Sequence, residues 1–116
     1  MPLPSNFEDL VAEANTLHLY KKLIVQLNKD LSYANVDLEF DEAILPTSLK
    51  LVLQDAIFNL IQNKFSEYLN LLYIIDVSEL KITALDGNDA FKRSEDVTFL
   101  ILQREWQKVW YRAKYS

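Results

Sequence analysis

His18 is the single histidine of this 116-residue chain, and so the one imidazole that could act as a general base or metal ligand. Either role needs a partner that orients the ring or shares the ion. At helical spacing His18 has Asn15 and Lys22 beside it and no carboxylate, so it reads as a surface or boundary residue at the edge of an apolar stripe. A di-metal bundle needs Glu-x-x-His pairs on two helices, and none occurs. Cysteine is absent, which excludes a disulfide, a thiolate nucleophile and a thiolate zinc site. One glycine, Gly87, cannot build a Gly-rich phosphate loop. No Ser, His and acid grouping can be assembled around His18. Asp37, Glu39 and Asp41 would place three carboxylates on one face of an extended segment, and Asp86, Asn88, Asp89 and Glu95 collect oxygens further on. Neither set has the order of a calcium loop with its central glycine, so solvated acidic surface is the simpler reading of both. No metal and no cofactor is expected.

The most distinctive stretch runs from Arg104 to Tyr115. It interleaves Arg104, Lys108, Arg112 and Lys114 with Trp106, Trp110, Tyr111 and Tyr115. Such interleaving occurs where bases stack and phosphates are neutralised, at protein interfaces anchored by Trp, Tyr and Arg, and at membrane surfaces. The plainer reading is a core stripe backed by a charged face. Trp106 and Trp110 lie one turn apart on the inward side, and Arg104, Lys108 and Arg112 share the outward side. Arg104, Trp106, Lys108, Trp110, Tyr111 and Arg112 form the candidate interaction surface.

Helices must carry these residues, because one glycine and three prolines suit long helices better than a turn-rich β fold. A first helix is predicted from Phe7 to about Leu31, capped by Ser5 with Glu8. Leu10, Ala14, Leu17, Ile24, Leu27 and Leu31 form its stripe. Val36 to Asp41 alternates apolar and acidic residues and reads as an extended connector whose apolar side chains lie across the helices. A second helix follows Pro46, with Thr47 or Ser48 as cap, and runs to about Tyr73. It is apolar over so much of its circumference that a central position is expected. Asp76 and Glu79 offer another capping box. A short helix over 77–85 with Val77, Leu80, Ala84 and Leu85 inward competes with a strand, and residues 86–89 read as a turn. A third long helix opens at Ser94, with Phe99, Leu102, Trp106, Val109, Trp110 and Ala113 inward. Its acidic start and basic end suit the helix dipole.

The chain reads as one all-α domain over residues 1–116: an up-and-down bundle of three long helices plus a candidate short fourth, with one extended connector. Half of the residues are hydrophobic and a quarter are charged, as in a globular domain. A net charge of −5 counts against general nucleic-acid binding. Five acids and no base fall between Asp30 and Glu42, while four bases against Glu105 follow Val97. These two regions either face each other or occupy different faces. The first six residues carry no secretory pattern, and no apolar run approaches the ~20 residues that span a bilayer. A soluble cytoplasmic protein without membrane insertion is expected.

Tyr68 to Val77 (Tyr-Leu-Asn-Leu-Leu-Tyr-Ile-Ile-Asp-Val), followed by Val97 to Trp110 with Gln103-Arg104-Glu105-Trp106-Gln107-Lys108-Val109-Trp110, resembles a small protein family of Bacteroidota that has no assigned activity. The resemblance covers roughly the last half of the chain. It implies a bacterial cytoplasmic origin and no site residue.

The function expected from these features is a non-enzymatic protein–protein interaction module that self-associates. Two partner helices from one chain leave the second helix incompletely covered, and a homodimer or another protein would complete the bundle. The alternative is a nucleic-acid-associated regulator that uses the basic-aromatic C-terminal helix. An enzyme built on carboxylates or lysines would need a pocket lined by buried ionisable side chains.

Overall fold

The computed structural model describes residues 3–85 and 89–115. They form six helices and, among the described residues, no strand: α1 (Phe7–Thr16), α2 (Tyr20–Tyr33), α3 (Pro46–Asn63), α4 (Phe65–Ile75), α5 (Glu79–Thr83) and α6 (Ala90–Tyr115). The all-α class therefore holds, but two of the three long predicted helices are each divided. Residues 77–85 resolve to the short helix α5 rather than a strand.

The first division has a clear cause. His18 adopts a left-handed conformation with φ 58°. The N–H of His18 donates to Asn15 O and that of Leu19 to Ala14 O, at 3.1 and 2.8 Å. This is a Schellman closure, with Leu19 folding back into the core. The same device ends α2 at Asn35, whose φ is 60°, with Val36 N–H donating to Leu31 O. It ends α4 at Asp76, whose φ is 68°, with Val77 N–H donating to Leu72 O. A scarcity of glycine pointed to uninterrupted helices, yet His, Asn and Asp take the positions that glycine usually fills. The second division, at Lys64, has a different geometry, φ −144° and ψ 58°, and turns the chain between α3 and α4.

Several predicted caps move. Asn6, not Ser5, caps α1 by accepting from Asp9 N–H at 2.8 Å. Pro46 itself opens α3, with Leu45 at the cap position. Ser78, not Asp76, caps α5. Helix α6 begins at Ala90, with Asp89 accepting from Phe91 N–H at 2.9 Å. Ser94 is therefore a fully buried residue inside that helix, and its hydroxyl donates to Phe91 O. The predicted turn over 86–89 lies outside the described residues except for Asp89.

Residues 36–41 form an irregular connector rather than a strand; it keeps the expected alternation of inward and exposed side chains but turns tightly at Asp37, where Leu38 N–H donates to Val36 O at 2.9 Å. Asn28 stands in for a partner strand: its amide donates to Phe40 O at 2.9 Å and accepts from Phe40 N–H at 2.8 Å. Tyr20 donates to Ile44 O at 2.6 Å further along. Phe40 is buried, and Val36 and Leu38 pack against the core.

The most central helix is α6, not the second predicted one. It packs on α1, α2, α3 and α4, most extensively on α3. Val97, Ile101, Leu102, Trp106 and Val109 meet Leu23, Ile24, Leu27, Leu53, Ile57 and Leu71 in one apolar cluster. The radius of gyration, 13.5 Å, is that of a single globule of this length. Among the described residues, no helix is long and apolar enough to cross a membrane.

Candidate functional site

Two features stand out from this scaffold: a buried ionic cluster where α2 meets α6, and an apolar stripe left open on α4. The cluster arises because two acids occupy inward positions. Asp30 lies between Leu27 and Leu31 on the apolar side of α2, and Glu105 lies between Leu102 and Val109 on that of α6. Glu105 is 0% exposed and Asp30 5%. Lys108 reaches both, with Nζ 2.7 Å from Asp30 Oδ2 and 3.1 Å from Glu105 Oε1. Gln26, one turn before Asp30, donates to Asp30 Oδ2 at 3.2 Å and accepts from Arg112 Nη1 at 3.0 Å.

These neighbours push the two acids apart. Burial raises the Asp30 carboxyl, but bonds to Glu105, Lys108 and Gln26 together outweigh it and hold the group below its ordinary value. Glu105 is pushed up to about 9, first by burial and then by its contact with Asp30, against the pull of Lys108. A split of this kind can mark acid–base chemistry. Here, however, the groups face protein on every side that the contacts describe. Five surface grooves, at α1–α6, at the connector, at the end of α4 against α6, at α4–α5 and at Phe58–Phe91, are lined by other residues. The cluster acts as a fastener between two helices.

The basic residues expected to face outward are turned onto the molecule. Arg104 Nε donates to Asp76 O at 3.0 Å, and Nη2 pairs with Asp76 Oδ2 at 3.1 Å. It thereby ties α6 to the left-handed end of α4. Lys108 belongs to the buried cluster, and Arg112, itself exposed, touches it through Gln26. The acidic and basic regions of the sequence thus meet at a single point, Asp30, while Asp37, Glu39, Asp41 and Glu42 remain exposed. Trp106 is fully buried and belongs to the core; Trp110 is half-buried against it, and Tyr111 is exposed. Ala113 faces solvent rather than inward. His18 is exposed. Among the described residues, no group of three or more His, Asp or Glu could hold a metal ion.

The α4 stripe follows from the sequence pattern of the second predicted helix. Tyr68, Leu71, Leu72 and Ile75 are buried, so they consume one side of α4. Phe65, Leu69 and Tyr73, at i, i+4 and i+8, share the other side, and are 54%, 50% and 79% exposed. Next to them, a groove of about 610 Å³ opens between α4 and α5, with Leu69, Leu72, Tyr73, Val77 and Ile82 as its apolar lining. Leu80 and Ala84, both expected to point inward, are exposed instead, Leu80 by 82%, because α5 is only five residues long and Val77 and Leu85, on either side of it, turn inward. The predicted interaction surface on α6 and this stripe lie on different helices, and Arg104 joins them by bonding Asp76 in the groove lining. The width of the apolar arc was the signal for the second; a carboxylate at an inward position on each of two helices was the unread signal for the ionic cluster.

Comparison with known proteins found no match: no family model fits the chain, and no curated protein or solved structure is similar to it.

Proposed function

We propose that this chain is a non-enzymatic interaction module that binds a second copy of itself through α4. The observation that carries the reading is the exposed Phe65–Leu69–Tyr73 stripe beside an apolar groove. Contiguous apolar surface of this sort marks interaction sites on soluble proteins. The stripe is also close to palindromic: an aromatic ring lies four residues before Leu69 and another four residues after it. An antiparallel two-fold pairing therefore sets Leu69 against Leu69 of the second copy and each Phe65 near a Tyr73, as an isologous interface requires. A nucleic-acid partner has less support, because Arg104, Lys108 and Arg112 already hold intramolecular acceptors.

Size-exclusion chromatography with light scattering at micromolar concentration tests this. The expected mass is about 27 kDa, twice the 13.6 kDa of one chain, and Leu69→Glu should return it to that of a single chain. A wild-type protein that stays monomeric across this range would refute the reading.

A further inference from the structure

The ionic cluster contains more negative charge than its cation can neutralise. Asp30 comes from α2 and Glu105 from α6, and both address the same ammonium group. Among the described residues, Asp30 and Lys108 are the charged groups that bear on Glu105. Arg112 reaches the cluster only through Gln26. Lys108 directs its hydrogen bond to Asp30. With both acids ionised, Oε2 of the fully buried Glu105 has no hydrogen-bond donor, and Oε1 has only the shared Lys108 ammonium at 3.1 Å, outside good hydrogen-bond geometry. A buried anion left in that state is strongly unfavourable. A proton on Glu105 solves both problems, because the neutral acid adds no charge and becomes a donor to the neighbouring Asp30 carboxylate.

We infer that Glu105 is a neutral carboxylic acid that donates a hydrogen bond to Asp30, so that one proton forms a latch between α2 and α6. Deprotonation releases that proton to solvent. It leaves two carboxylates against one ammonium at the helix interface, and the latch loosens as pH rises. Burial and the Asp30 contact both favour the protonated form of Glu105, with a midpoint of about 9. The latch is thus closed at neutral pH and opens in alkali.

Carbon NMR of the side-chain carboxyls, recorded across pH, reads the latch directly. The Glu105 carboxyl carbon should keep its neutral-acid position through pH 7 and move near pH 9. Asp30→Asn should shift that movement to lower pH, a change that mere packing would not cause. Glu105→Gln keeps the shape and a donor but has no proton to lose. Its urea unfolding midpoint should therefore be flat in the range where that of the wild type falls with rising pH. Movement of the Glu105 carbon with the ordinary glutamates, near 4.5, would overturn the inference. If the Gln variant does not fold, the wild-type carbon titration still decides.

Discussion

Glu105 and Trp106 are adjacent in sequence and both fully buried, but they stabilise the molecule in opposite ways. Trp106 contributes apolar area at the centre of the core. Trp106→Ala should cost roughly 3–5 kcal/mol in denaturant unfolding. Glu105 contributes a proton-dependent bond whose sign can be worked out. Between its ordinary value of 4.5 and about 9 the folded chain holds a proton that the unfolded chain has released. Stability must therefore fall as pH rises through that window, by up to ~1.4 kcal/mol per pH unit. Asp30 acts at the other end: its lowered value means that its stabilising contribution is present above 3.8 and is lost as pH falls through the folded-state value. Lys108 joins the two acids, and Lys108→Ala should cost about 3 kcal/mol, measured the same way, because it strands buried negative charge. His18 carries a conformational load. Its φ of 58° suits glycine better than histidine, so His18→Gly should raise stability by roughly 0.5–1 kcal/mol in the same assay.

At the scale of elements, the apolar periodicity located nearly every helix but not where the helices end. Of the predicted stripe, Leu10, Ala14, Ile24, Leu27 and Leu31 are buried but Leu17 is exposed, because the Schellman turn at His18 ends α1 beside it and separates the two halves. Periodicity cannot detect such a turn when the left-handed residue is not glycine. Each of the three closures is legible in retrospect through its hydrophobic follower: Leu19, Val36 and Val77 tuck beneath the helices they terminate. The connector was legible because alternation fixes which side chains share a face; its Asn28 clamp was not, since a side-chain amide imitating a strand leaves no pattern. The long C-terminal helix was recognised by its stripe and its charge polarity. Its start was misplaced by one turn because Glu95 and Asp96 look like a first turn, whereas Lys92 pairs with both from inside the helix. The outward stripe of Arg104, Lys108 and Arg112 was misread for a related reason. Helical spacing says which residues share a face, but not whether a neighbouring helix supplies acceptors along it.

At the scale of the whole molecule, two helix faces with opposite fates account for the architecture. The inward face of α6 is closed on four neighbours and fastened by the Asp30–Lys108–Glu105 cluster. The outward face of α4 is left open, since α3 and α5 flank it without covering Phe65, Leu69 or Tyr73. The proposed self-association through α4 would give that surface a use while leaving the fastened interface undisturbed. The most direct test is a dilution series of backbone amide spectra from micromolar to millimolar protein. Amides of Phe65, Leu69, Tyr73 and Ile82 should shift together with concentration, while those of Lys108 and Arg112 stay fixed. Spectra that do not change on dilution, or shifts centred on Arg104 to Arg112 instead, would contradict the account.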